Sequence, residues 1–279
     1  MFPEIVLRRA QHERLGYRFQ KNLALTRRLS KGVSVVYPPS PPTGGGGYFR
    51  ENHSGGSNRA RRGWQGMPRL RTRTWTLARA WCKVRRVRRG ISRSFAASIA
   101  VKRQFLRENL DALVQAVDTI AEAFQAGNKL LLFGNGGSAA DAQHIAAEFV
   151  NRFKMERPPL PAIALTTDSS ALTSIGNDYG YAEVFAKQVR ALGRRGDVAV
   201  AISTSGNAVN VLRAVAACRR IGVRTIALTG GTGGKLASAG DLVLRVGGTT
   251  ETARIQETHI LVGHVICEQV DEKLFGSAR

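Results

Sequence analysis

Five short, unbroken apolar runs, each followed by a stretch with helical spacing, set what this chain can fold into. They are "KLLLFG" (129–134), "PAIALT" (161–166), "VAVAIS" (198–203), "RTIALTG" (224–230) and "LVLRVG" (242–247). A strand with one wet face alternates apolar and polar residues, so runs that do not alternate mark strands covered on both faces, as in parallel sheets. Segments such as "AADAQHIAAEFVNRF", "YAEVFAKQVRALG" and "AVNVLRAVAACRRIG" supply the covers. The alternation predicts an α/β domain, a doubly wound five-stranded parallel sheet flanked by helices.

Two long helical stretches bracket these units. The first places Phe105, Leu106, Leu110, Leu113, Val117, Ile120 and Phe124 at helical spacing, with Gly127 as its stop; the second is "TARIQETHILVGHVICEQVDEKLF". Both are apolar beyond one face, which suits packing against other subunits or burial within one subunit. The pattern alone does not choose between them.

Charge divides the chain in two. Residues 1–94 hold 22 Lys/Arg against 3 Asp/Glu, whereas residues 95–279 hold 20 against 17. The first part also carries "YPPSPPTGGGGYFRENHSGGSNRARRGWQG", without an apolar period that would specify an element. Residues 1–93 are therefore read as a basic, disordered N-terminal extension or as sequence upstream of the true start, and residues 94–279 as the domain. A sharper alternative takes "RARRGWQGMPRLRTRTW" and "KVRRVRRG" as an arm for nucleic acid or an anionic surface.

No run approaches the roughly 18 apolar residues of a membrane span, and charge interrupts the start too soon for a secretory signal. Three cysteines, Cys82, Cys218 and Cys267, stand in no paired spacing. This suits a reducing cytoplasm, with Cys218 and Cys267 as buried, inert thiols. No membrane and no nucleic acid is expected among the partners.

Two strand-to-helix turns are built to one plan. "GNGGS" follows the first apolar run and "STSGN" closes the third. At the carboxyl end of a parallel strand, the start of the next helix exposes N–H groups and the positive end of the helix dipole, which favour an anion. Ser203, Thr204 and Ser205 add hydroxyl donors beside Gly206, a set suited to phosphate. Gly134, Gly136 and Gly137 free the backbone, while Asn135 and Ser138 can bond the hydroxyls of a sugar. Ordinary helix caps use the same residue types, but two such turns at matching strand ends favour a polar, phosphorylated ligand. Neither GxGxxG nor GxxxxGK[ST] occurs, which argues against a dinucleotide and an NTPase.

His144 and Glu148 lie four apart on the helix after "GNGGSAAD" and share a face. The last helix offers Gln256, Glu257, His259 and His264. Glu257 and His264 fall on one stripe, while Gln256 and His264 are about 80° apart, still on one side. Geometry does not choose between Gln256 and Glu257. Imidazole and carboxylate donors on two helices suit a divalent ion such as zinc, whereas a surface ion pair and a core histidine are the plainer readings.

Taken together, "GNGGSAADAQHIAAE", "GNDYGY", "ISTSGNAVNVLRA", "LTGGTGGKLA" and "RIQETHILVGHVICEQVD" resemble the phosphoheptose isomerases, enzymes of the sugar isomerase (SIS) domain group. The resemblance runs in order from about Ser94 to Phe275. It implies conversion of sedoheptulose 7-phosphate to D-glycero-D-manno-heptose 7-phosphate, an aldose–ketose isomerisation through an enediolate, for bacterial heptose and lipopolysaccharide precursors. It also implies one zinc per subunit held by His144, Glu148, Gln256 and His264, and substrate contacts from Asn135, Gly136, Gly137, Ser138, Glu148, Asn177, Asp178, Ser203, Thr204, Ser205 and Gln256. Glu148 is assigned as the base at carbon and His264 as the acid/base at oxygen. A homotetramer with sites built from neighbouring subunits is implied as well. One departure stands out: the family usually has serine just after "STSGN", and this chain has Ala208. The rival reading is a non-catalytic SIS adaptor that binds the replication initiator, which would not need the His/Glu and Gln/His set.

Overall fold

All five apolar runs are strands of one sheet in the computed structural model of the chain, which describes residues 71–276, with side chains from Cys82 onward. They are β1 (Leu130–Gly134), β2 (Ala162–Ala164), β3 (Val198–Ser203), β4 (Arg224–Gly230) and β5 (Leu242–Val246). Every pairing is parallel and the order is β2-β1-β3-β4-β5. The helices are α1 (Arg71–Gln125), α2 (Gly137–Val150), α3 (Ser169–Tyr179), α4 (Val184–Leu192), α5 (Val209–Ile221), the single turn α6 (Leu236–Ala239) and α7 (Thr252–Phe275).

The unbroken apolar pattern has the expected cause. Along β1, Leu130 and Leu132 face a core that includes α1, α2 and α7, while Leu131 and Phe133 face α4 and α5. Strand side chains alternate faces, so a strand covered on both must be apolar throughout. All of β1 and β3 is buried; β2 and β5, at the edges, are partly exposed. The result is a three-layer sandwich.

Helix α1 docks on the β5 edge through Asn109, whose Nδ2 donates to the Arg245 carbonyl at 3.2 Å while its Oδ1 accepts from the Arg245 N–H at 3.1 Å. The helix also begins earlier than the sequence texture indicates. Residues 1–70 of the expected extension lie outside the described residues, but from Arg71 the chain is helical and runs without a break into the domain. Arginine is a good helix former, and a single Gly90 costs only about 1 kcal/mol. Cys82 is exposed, whereas Cys218 and Cys267 are buried; burial pushes the Cys218 thiol up to about 12 and raises that of Cys267, so both are inert.

Candidate active site

The chain passes from β1 to β2 on one side and from β3 to β4 on the other, so the carboxyl ends of β1 and β3 flank the point where strand order reverses. Gly134 stands opposite Ile202 there. In such sheets this crevice is where ligands bind. The two turns singled out in the sequence are thus neighbours.

Glycine is required at both. Gly136 starts α2 at φ 55°, in the left-handed region. Gly206 has φ 66°, and a Cβ there would run into the Gly233 carbonyl. The turns are tied together: Asn135 and Asn210 exchange two side-chain amide bonds, each 2.9 Å, and the Tyr181 hydroxyl donates to Asn135 Oδ1 at 3.2 Å. Ser138 and Ser203 are buried, Thr204 is half-buried and Ser205 is exposed. Helix α5 starts after Ala208 with no side-chain cap, so its first N–H groups are free of one. Asn177 and Asp178 sit at the exposed end of α3 and bond each other at 2.9 Å.

Beside these turns, α2 and α7 bring three donors together. His144 Nε2 lies 2.9 Å from His264 Nε2 and 3.2 Å from Glu148 Oε1, and the three ligand atoms lie within 4.8 Å of one another. Two imidazole nitrogens this close need a proton or a cation between their lone pairs. The approach depends on Gly263, where a Cβ would stand 2.7 Å from Ile145 Cγ1. Phe153 stacks on the His264 ring at 5.4 Å.

Gln256 and Glu257 part company. The Gln256 amide packs against Gly137 in the first turn, where a Cβ would meet its Cδ at 2.9 Å. Glu257 instead pairs with Arg254 at 2.8 Å and lies 3.9 Å from Lys102 of α1.

Four neighbours escaped the sequence reading. Asn210 is a polar residue on the otherwise apolar buried face of α5. Tyr181 follows "GNDYG", and only the fold brings it to Asn135. Asp141 stands three before His144 on the same helix, a spacing that could have been noticed. Burial raises its carboxyl above the usual range, His144 pulls it the other way, and its Oδ2 is buried without a partner. Arg157 is fully buried, with Nε on Asp271 at 2.9 Å and its guanidinium donating to the carbonyls of Glu148 and Phe149 at 2.9 and 2.7 Å. It caps the end of α2 that carries Glu148 and locks it to α7.

Residues 94–230 match the SIS domain family. The phosphoheptose isomerase of Thermodesulfovibrio yellowstonii is 52% identical over 185 residues, covering 66% of this chain and 92% of that protein. The chain belongs to the phosphoheptose isomerase family. A family member from Roseiflexus is 56% identical over 179 residues, covering 64% of this chain and 90% of its own. The solved phosphoheptose isomerase of Neisseria gonorrhoeae superposes with a TM-score of 0.63 at 48% identity, covering 67% of this chain and 99% of that one. The SIS match takes in β1 to β4, both turns, His144 and Glu148; Gln256 and His264 on α7 lie beyond its end and join the site by geometry.

Proposed function

We propose that this chain isomerises sedoheptulose 7-phosphate to D-glycero-D-manno-heptose 7-phosphate, acting as an aldose–ketose isomerase. One observation carries the reading: at 52% identity over 92% of a phosphoheptose isomerase, the chain gathers His144, Glu148 and His264 beside two ligand-type turns. The adaptor alternative is not favoured, because it gives that cluster nothing to do.

The donor set fits a divalent ion. Two imidazoles and a carboxylate within 4.8 Å suit zinc, with Gln256 completing the set from the same side of α7. His144, Glu148, Gln256 and His264 would hold it, and when bound it polarises the sugar oxygens.

The chain's own groups divide the remaining work. Ser203, Thr204 and Ser205, with the uncapped start of α5, suit the phosphate. Ala208 contributes no hydroxyl there. Asn135, Gly136, Gly137 and Ser138 suit the sugar hydroxyls, with Gln256 beside them and Asn177 and Asp178 on the border. Glu148 takes a proton from C1 and returns it to C2, while His264 gives a proton to O2 and removes one from O1. Carbonyl and hydroxyl thereby exchange places with no net gain or loss of protons. General acid/base groups of this kind contribute roughly 10²–10⁴-fold.

The reading includes a homotetramer in the cytoplasm. Leu106, Leu110 and Val114 of α1 and Leu261 of α7 are exposed beside one another, and a second copy would cover them. Free thiols at Cys82, Cys218 and Cys267 suit a reducing compartment. The test is to incubate the full chain with sedoheptulose 7-phosphate, with and without a chelator, and follow the sugar by proton NMR. The aldose 7-phosphate should appear and chelation should suppress it. No turnover with zinc supplied would overturn the assignment.

A further inference from the structure

The domain leaves one strongly patterned surface unused. Between Cys82 and Ile99, α1 carries Val84, Val87, Ile91 and Phe95 at 49, 60, 55 and 69% exposure, spaced 3, 4 and 4 apart and so on one face. Lys83, Arg85, Arg86, Arg89 and Arg93 occupy the rest of the circumference, with Arg88 at the edge of the apolar face, seven before Phe95; all are exposed. No Asp or Glu occurs from residue 52 to residue 107. The stripe continues the face by which α1 docks on the body. That docking ends at Ser94, where Arg254 Nη1 donates to the carbonyl at 2.7 Å. Nothing among the described residues covers the stripe beyond it.

Charge and apolarity together select the occupant. A second copy offers no compensating charge, since the chain holds 42 Lys/Arg against 20 Asp/Glu. Two such helices laid together would set arginine against arginine. Nucleic acid would satisfy the arginines but leave Val84, Val87, Ile91 and Phe95 in water. A bilayer bearing anionic lipid satisfies both faces, with arginine stems reaching up to the headgroups and the stripe at the acyl boundary. We propose that the Cys82–Ile99 segment of α1 is an interfacial helix that docks this enzyme on anionic membrane surfaces. The want of a spanning segment argues against a membrane partner, and no described helix is long and apolar enough to cross a membrane. A helix lying in the interface needs no such length.

The test is flotation of the full chain with vesicles of phosphatidylcholine alone or with about 40% phosphatidylglycerol. Two variants accompany the wild type: Arg85→Gln/Arg86→Gln/Arg89→Gln, and Val87→Ser/Ile91→Ser/Phe95→Ser. All six positions are exposed, and circular dichroism melting checks the fold of each variant. Wild type is expected to float with the anionic vesicles only, and less so at high salt. Each basic side chain near an anionic surface strengthens binding by about five-fold, so the arginine variant should bind about a hundred-fold more weakly. The serine variant should also lose at least ten-fold. Equal binding by wild type and the serine variant would overturn the proposal. So would absence of vesicle binding, whether accompanied by retention of duplex DNA in a gel shift or by a lower mass for the serine variant in sedimentation.

Discussion

His144 on α2 and His264 on α7 bring their Nε2 atoms to 2.9 Å across 120 residues of chain. With Glu148 Oε1 3.2 Å from the same His144 nitrogen, the three donors form a candidate metal site. Zinc at a hundred times its Kd should stabilise the fold by about 2.7 kcal/mol, and a chelator should reverse this. For a domain of this size that is roughly 5–10 °C in Tm. The His264→Ala variant should show no zinc-dependent shift in calorimetry.

Gly263 sets how closely those helices approach. A Cβ there meets Ile145, so Gly263→Ala should cost about 1–3 kcal/mol in urea unfolding despite the better helix propensity of alanine. It should also shrink the zinc-dependent shift, because wedging the helices parts His144 from His264. Adding Ile145→Ala should restore the zinc response, a coupling that a double-mutant cycle measures.

The Asn135–Asn210 pair joins the two ligand turns. Asn210→Ala removes one partner and leaves the half-buried Asn135 amide short of a hydrogen bond, which costs about 1 kcal/mol. Because the turns then shift against each other, steady-state kinetics should show KM for the sugar phosphate rising more than kcat falls.

His259 has no exposed surface; its Nε2–H donates to the Thr229 carbonyl at 3.2 Å and its Nδ1 has no partner. Burial lowers its pKa from 6.5 to about 4. The unfolded chain therefore binds this proton at a higher pH than the folded one, so stability is complete above pH 6.5 and falls between 6.5 and 4. The loss is about 3 kcal/mol over that window. Melting from pH 7 to 4.5 should show this fall in wild type and a flatter profile in His259→Gln.

How much was legible in the sequence follows from the range of each signal. The central strands β1 and β3 were readable because two-sided burial makes each an unbroken apolar run, and the closing helix was readable to its ends because "TARIQETHILVGHVICEQVDEKLF" keeps one period. The His144/Glu148 pair was readable because it is local to one helix. Asn210, Arg157 and Asn109 were not: each is a polar residue whose partners lie on other elements, 75, 114 and 136 positions away for Asn135, Asp271 and Arg245. Polar residues on an amphipathic helix, like Asn109 and Asn210, or in a loop, like Arg157, read as solvent-facing until the packing is known. The earlier start of α1 was not legible because the apolar stripe of Val84, Val87, Ile91 and Phe95 is set among arginines and buries no face on the body, so composition outweighs its period.

Glu148 holds the central claim, and the measurement that tests it most directly is turnover of sedoheptulose 7-phosphate in D2O by wild type and Glu148→Gln. A base that moves the C1 proton predicts deuterium at C2 of the product with wild type. It also predicts a kcat about 10²–10⁴-fold lower in the variant, beyond any loss that added zinc restores. Wild-type turnover undiminished in Glu148→Gln would contradict the account.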